Sequence, residues 1–516
     1  MFGDLLGDKP PSVHNHTIDA IMSTEGSLMP NKAWELGFHL RSPRGWLNDP
    51  NGSCQFNGEY YVYYQYNDAW PKIDQKAWGL FVSRDLVHWR YEGMPIEPSI
   101  PEDRHGVYSG CTVVERGAGD DGADLLRAFY TGNVVCLDAG HNPKDVGRVY
   151  TGREAHEITC TSTDGIHFGT KTVLLRTQDY PDECSLHVRD PKVWRQDDSW
   201  YMLLGARHLR NHGMCLLYRS DDGLSWEFAH RIDSAYPFGY MWECPNIVQL
   251  DDGSEYLAFS PQGLPRMRDR WHNLCQAGYI PLPGRIVDTT VVDERDFVEW
   301  DHGHDFYAPQ TFVDDQGRWI LIGWLGGFDP HWACAPDGLA WCHCLTVPRL
   351  LRKDPASGHL LQTPVPELVA LRGKKVTLVR GATAGISTRH ADIVLEDIAG
   401  DGSITIDESL QVFFERQRLG IRYLVPQQAA GRDDRSIPLD SLRDLRILVD
   451  GSAVEVYAND GAQVFSSRWF PAEGTSLTIR TDLNVRVAQA WPMEDVLGNL
   501  YATAQAPSIS QPGWNA

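Results

Sequence analysis

The sequence predicts an all-β chain, a five-bladed β-propeller followed by a C-terminal β-sandwich, and three observations predict it. From Trp34 onward the apolar residues come in short aromatic and β-branched runs broken by Gly, Asp and Asn, with few stretches of helical period. Five such runs recur at intervals of about 55 to 75 residues, the size of slightly long propeller blades. Beyond Pro348 the character changes, and period-two runs joined by an Asn-Asp-Gly turn mark antiparallel hairpins of a second unit.

Taken in order, residues 1–33 read as an N-terminal extension, with Pro10, Pro11 and polar residues. Residues 34–350 hold the repeat. Its five runs are Glu59–Tyr64, Leu126–Tyr130, Ser199–Leu204, Glu255–Phe259 and Arg318–Ile322, each after a Gly- or Asp-rich turn. A second echo, Ser83–Trp89, Ser162–Phe168 and Ser220–Trp226, reads as a strand, a tight Asp or Asp-Gly turn and an aromatic anchor. A β-sandwich with coincidental echoes is the alternative. Residues 351–372 read as a linker, because Pro355, Pro364 and Pro366 discourage regular strands. Residues 373–516 read as the sandwich, from Leu445–Val449, Val454–Tyr457, the turn Asn459-Asp460-Gly461 and Val464–Ser467.

A chain of 516 residues, 42% hydrophobic, exceeds one ordinary domain. Its net charge of -22 argues against nucleic acid and anionic membrane surfaces, which need clustered Lys and Arg, and leaves a neutral substrate open. The 18 Trp and 20 Tyr suit stacking on sugar rings, and they equally fill a β-rich core. Eleven cysteines stand singly except Cys342 and Cys344, whose spacing suits two thiols on one face of a strand. With no C-x-x-C pair, reduced thiols are expected and a disulfide framework or structural zinc is not. The N-terminus lacks a basic region followed by an apolar one, so the sequence as given reads as cytoplasmic, or as secreted if it is a processed form. No apolar run is long enough to span a membrane, and oligomeric state is not readable.

Three carboxylates stand in short, turn-rich, aromatic-flanked settings. Asp49 lies in Gly45-Trp46-Leu47-Asn48-Asp49-Pro50-Asn51-Gly52, whose Pro and Asn-Gly steps predict a strand end or loop mouth. An Asx-turn carboxylate that only caps backbone amides is its bland alternative. Asp190 lies beside Arg189, which would keep it ionised, although a structural ion pair explains the pattern too. Glu243 follows Met241 and Trp242, which would desolvate it and raise its pKa, the divergence that acid and base roles require. Cleavage of a glycosidic bond with retention needs one ionised carboxylate and one protonated carboxyl, about 5 to 5.5 Å apart. Asp49 and Glu243 suit those roles if blades 1 and 4 meet on one axis.

Together these stretches, with Arg189-Asp190-Pro191 and Glu243-Cys244-Pro245, closely resemble the motifs of glycoside hydrolase family 32, the invertases, inulinases, levanases and related fructosyltransferases. The likeness continues through Tyr64-Gln65-Tyr66-Asn67, Asp85–Trp89, Tyr108-Ser109-Gly110, Tyr130-Thr131-Gly132-Asn133, Asp305–Gln310 and Leu345–Arg349, and reaches the sandwich at Val449-Asp450 and Val454-Glu455-Val456. The resemblance implies a retaining mechanism with no metal or organic cofactor. It makes Asp49 the nucleophile that forms a fructosyl-enzyme, Glu243 the acid and then base, and Asp190 a transition-state stabiliser. Asn48, Gln65, Tyr108, Ser109, Arg189 and Trp324 would line the pocket.

Departures from the family pattern bear on substrate. Trp70 stands in Asn67-Asp68-Ala69-Trp70 and is a candidate to stack on the leaving side; Leu80 and Phe81 replace small residues near the rim in that likeness. A remodelled rim favours a fructan over sucrose, with levan slightly ahead of inulin. It also admits intramolecular transfer, as in levan fructotransferases, which release a cyclic difructose dianhydride. A non-catalytic fructan-binding protein and an inverting arabinanase-like propeller are the rivals from other classes.

Overall fold

The structure, a computed structural model, describes residues 31–69, 75–137, 141–145, 147–329, 331–333, 339–498 and 500. Its first part is five antiparallel sheets whose strands follow chain order. Blade 1 holds Gly45–Phe56, Glu59–Asn67, Ala77–Ser83 and Trp89–Tyr91; blade 2 holds Val107–Glu115, Leu125–Val135, Arg153–Ser162 and Thr172–Leu175. Blade 3 holds Cys184–Gln196, Ser199–His208, Gly213–Ser220 and Glu227–Ser234, and blade 4 holds Met241–Gln249, Glu255–Gln262, Gly278–Pro281 and Val298–Glu299. Blade 5 holds Tyr307–Val313, Trp319–Leu325, Arg349–Lys353 and Leu360–Pro364.

The five aromatic runs of the sequence are the second strands, buried between the first strand and the third. The echoed Asp turns join third strands to fourth strands. In each, a Ser hydroxyl donates to the Asp two residues on, at 3.1, 2.9 and 2.9 Å for Ser83, Ser162 and Ser220. Those carboxylates accept the N–H of His88, His167 and Ser225, which closes the turn.

First strands pack side by side around the ring, and Tyr307–Val313 returns to Gly45–Phe56. Trp341–Cys342 then adds a parallel strand to Gly45–Phe56, while Cys344–Leu345 pairs with Trp319–Leu325. His343, at φ 67, turns the chain between them. Cys342 and Cys344 therefore serve different blades and are not two thiols on one face of a strand.

The linker expected over 351–372 starts too early. Arg349–Lys353 and Leu360–Pro364 pair in register as the outer hairpin of blade 5. Pro355 falls in its turn and Pro364 at its last position, where a missing N–H breaks no interior ladder. The connection proper contains the 3-10 turn Pro366–Leu371. Beyond it two six-stranded sheets face one another. Ile393, Ile447 and Val456 of one interlock with Ile404, Val412 and Ile479 of the other.

The two domains are joined by buried charge. Asp450, on Asp444–Asp450, accepts the backbone N–H of Gly37, Phe38 and His39 at 2.7 to 3.0 Å, and it receives His39 Nδ1 at 2.8 Å. His39 Nε2 meets Glu455 at 2.9 Å, and Glu455 takes Arg349 Nη2 of blade 5 at 2.5 Å. Arg349 also reaches Asp301 at 3.2 Å, and Asp305 holds Arg432 through two bonds of 2.7 Å. All of these side chains are buried. Burial alone would lower the His39 pKa, but its bonds to Asp450 and Glu455 outweigh that and raise it to about 9.

The folded protein thus keeps the His39 proton to about pH 9, against 6.5 for an unperturbed histidine. Its stabilisation is complete below pH 6.5 and is lost as pH rises through 9, on the order of 3 kcal/mol. The urea midpoint of the wild type is expected to fall across that window. That of His39→Gln should be lower and flat. A flat wild-type midpoint would show that His39 does not hold the proton.

Candidate active site

Every inner strand carries one residue more than its partner at the same depth. The extra residue lies between Leu47 and Pro50, Val107 and Gly110, Arg189 and Lys192, Glu243 and Asn246, and Tyr307 and Gln310. Such a bulge unpairs a residue and re-aims its side chain. The backbone adopts φ of 64°, 46° and 47° at Asp190, Cys244 and Ala308, a region that non-glycine residues rarely occupy. Each of the three precedes a proline, whose missing N–H suits a broken ladder. The turn formers around Asp49 act in the same way: they make a bulged strand with a second irregularity between Asn51 and Cys54, in place of a loop mouth.

The bulges bring one group from each blade to the axis. Asp49 Oδ1 accepts from Asn48 Nδ2 at 2.9 Å and Oδ2 from Ser109 Oγ of blade 2 at 2.6 Å; Gln65 Nε2 donates to that hydroxyl at 3.2 Å. Asn48 Oδ1 is itself fixed by Trp46 Nε1 at 3.0 Å and Lys76 Nζ at 2.9 Å. Asn48, Gln65 and Ser109 are buried and Asp49 is partly exposed, so this floor presents the carboxylate. Cys244 Sγ lies 3.7 Å from Asp49 and 3.6 Å from Asp190. Its N–H donates to Asp190 Oδ2 at 2.9 Å, and the N–H of Asp190 goes to Thr131 Oγ1 at 2.9 Å. Behind Thr131 stands Glu157, wholly buried, whose pKa burial pushes well above the carboxylate range.

Arg189 departs from expectation. Its guanidinium turns to Glu243 of the next blade, with Nη2 at 2.5 Å and Nε at 3.0 Å from Oε1, and stands 3.9 Å from Asp190. Tyr307 of blade 5 donates to Glu243 Oε2 at 2.6 Å, and Gln262 donates to the same oxygen. Burial pushes Glu243 up, but the Arg189 charge and these bonds outweigh it and hold the pKa below the ordinary value. Asp190 moves the other way: burial, with the charges of Glu243 and Asp49, outweighs Arg189 and raises it to about 7. The expected division is therefore reversed between Asp190 and Glu243. Trp242 does not desolvate Glu243, since its indole stacks on Phe259 at 4.1 Å inside blade 4. His187 bridges Arg189 to a second guanidinium: Nδ1 accepts from Arg189 Nη1 at 2.9 Å and lies 3.4 Å from Arg153 Nη1, while Nε2 donates to Gly147 O. Burial, then Arg189 and Arg153, lower its pKa to about 2, so the ring is neutral.

Other expected pocket residues divide. Tyr108 is half-buried with Lys76 and Arg153 over its ring, at 5.9 and 5.5 Å. Trp324 does not line the pocket: it is fully buried against Trp46, Tyr307, Phe328 and His343. Leu80 and Phe81 do not shape the rim, because both are wholly buried in the third strand of blade 1, with Phe81 stacked on Tyr64 at 5.1 Å. Trp70 lies outside the described residues. Among site residues that sequence reasoning missed, Tyr307 had a signal, since it stands in Asp305–Gln310; Gln262, Lys76, Arg153 and Glu157 had none. Among the described residues no group of three His, Cys, Asp or Glu side chains could hold a metal ion, and no helix is long and apolar enough to cross a membrane.

Comparison with known proteins agrees with this architecture. Residues 39–364 match the glycosyl hydrolases family 32 N-terminal domain and residues 399–491 the family 32 C-terminal domain. The sucrose-6-phosphate hydrolase of Bacillus subtilis (strain 168) is 35% identical over 473 residues, 87% of this chain and 93% of that one. A raffinose invertase of Escherichia coli is 35% identical over 457 residues, 85% and 90% of the two chains. The solved sucrose-6-phosphate hydrolase from Lactobacillus gasseri superposes with a TM-score of 0.79 at 27% identity, over 90% of this chain and 94% of that one. With both domains matched and the five inner strands arranged as described, the chain belongs to glycoside hydrolase family 32.

Proposed function

We propose that the protein hydrolyses the terminal β-fructofuranosyl bond of sucrose or sucrose 6-phosphate, with retention of configuration. The observation that carries this reading is the pairing of a partly exposed Asp49, fixed by Asn48 and Ser109, with a Glu243 set among four donor atoms of Arg189, Gln262 and Tyr307. Relatives named for sucrose 6-phosphate and raffinose support a short sugar. A preference for levan, or intramolecular transfer, would need a remodelled rim, and Leu80 and Phe81 are interior residues.

In this reading Asp49 attacks the anomeric carbon C2 of the fructosyl unit. The bond from C2 to the glycosidic oxygen breaks, and Glu243 gives its proton to that oxygen. Glu243, then anionic, takes a proton from water, whose oxygen attacks C2 and releases Asp49 and fructose. Glu243 must therefore hold a proton at the first step, although Arg189 favours its anion. The raised Asp190 supplies one. Fructose hydroxyls donating to Asp190 favour its charged form, and the displaced proton passes to Glu243. Anionic Asp190 then stabilises positive charge developing at C2.

Incubation with sucrose, sucrose 6-phosphate, raffinose and levan tests the reading: free fructose from the first two is expected, and none from either would overturn it. The first-formed fructose should be the β-anomer; the α-anomer would favour the inverting rival. Asp49→Asn should lose about four orders of magnitude in kcat while melting like the wild type, and retained turnover would remove the nucleophile assignment. The wild-type kcat/KM should fall as pH rises through about 7, where the carboxyl pair loses its proton. In Asp190→Asn that limb should move to lower pH; a limb fixed near 7 would place the proton elsewhere.

A further inference from the structure

The mouth of the propeller has a cationic side. Lys76 immediately precedes the third strand of blade 1, Arg153 opens that of blade 2, and Arg207 stands near the end of the second strand of blade 3. All lie at the end of the blades where the carboxylates meet. Among the described residues none of the three forms an ion pair: Lys76 donates to the Asn48 amide oxygen, Arg153 faces the Tyr108 ring, and Arg207 lies 4.7 Å from the Tyr240 ring. In a chain with 69 acidic residues against 47 basic ones, carboxylates are the abundant partner. Three cations left without one around a single opening therefore need a reason.

Arg153 is the sharpest case. Among the described residues its buried Nε and Nη2 have no hydrogen-bond partner, and Nη1 has only His187 Nδ1, an acceptor already used by Arg189. Burial, then the charge of Arg189, lowers its pKa to about 10, against the pull of Tyr108, Asp190 and Glu243. A buried donor without a partner costs about 1 to 3 kcal/mol, and a charged one more. A guanidinium fork with unused donors matches a phosphate in geometry and charge. Position identifies the half of the substrate. Ser109 turns inward to Asp49, whereas its neighbour Tyr108 is half-exposed between Lys76 and Arg153, so the cations stand outward of the floor that would hold fructose.

Resting on the reading that the enzyme releases fructose from a sucrose-type sugar, we infer that Arg153, with Lys76 and Arg207, forms a site that recognises a phosphate on the departing sugar. The site prefers a glucosyl half bearing phosphate to a neutral one. Arg153 is its specificity-determining residue.

Fructose release from sucrose gives the readout. Glucose 6-phosphate is expected to inhibit the wild type at concentrations at least about tenfold below those needed of glucose. Arg153→Gln should reduce the preference in kcat/KM for sucrose 6-phosphate over sucrose by about tenfold or more, mainly through KM, and Arg153→Lys should retain part of it. Equal inhibition of the wild type by glucose and glucose 6-phosphate would overturn the inference while leaving the hydrolase reading intact. Stronger inhibition by fructose 6-phosphate would overturn it too, by putting the phosphate on the other half. If neither sugar yields fructose, it is the functional reading that fails. Should Arg153→Gln not fold, the inhibition series on the wild type still decides.

Discussion

The site depends on one backbone constraint: five inner strands, each forced to carry an extra residue at the same depth. In a regular strand, side chains alternate between the two faces of the sheet, and in a propeller both faces are covered by neighbouring blades. A carboxylate on such a strand would be buried between blades. The added residue breaks the alternation and turns a polar group toward the axis in every blade. Positive φ at Asp190, Cys244 and Ala308 is the local consequence, each on the order of 1 to 3 kcal/mol of strain. Bonds made possible only by that geometry offset it, notably those of the Asp190 and Cys244 N–H groups.

One guanidinium stands beside two carboxylates, and the bulge decides which of them it bonds. Arg189 and Asp190 are sequence neighbours, so adjacency suggested an ion pair. The kink at Asp190 separates their side chains and sends Arg189 across to blade 4, where it meets Glu243. For Asp190, burial with the charges of Glu243 and Asp49 then outweighs Arg189 and its backbone donor, and its pKa rises. Arg189 therefore favours the Glu243 anion.

Sequence reading recovered what is periodic. The aromatic second strands and Asp turns repeat blade by blade, and the three carboxylates stand in turn-rich stretches whose chemistry is local. It failed where an answer depends on which blades adjoin. Leu80 and Phe81 differ from the family pattern, and only the register of blade 1 shows that they face its interior. Proline content made Arg349–Pro364 look like a connector, because the tolerance of an outer hairpin for proline is not visible from composition. The later family motifs, at Asp305, Arg349, Asp450 and Glu455, were legible as motifs without a role. They turn out to be the buried charges that join the two domains.

The fastening at Trp341–Cys342 has a consequence for biosynthesis. The segment that covers the edge of the strand bearing Asp49 follows that strand by about 300 residues. At the usual pace of translation that interval is roughly 15 to 60 s. Through it the nascent first blade offers an open strand edge, a known route to mispairing with other chains. The Asp450 that receives His39 emerges later still. The reactive centre is thus completed only once segments about 300 to 400 residues further along the chain have been made.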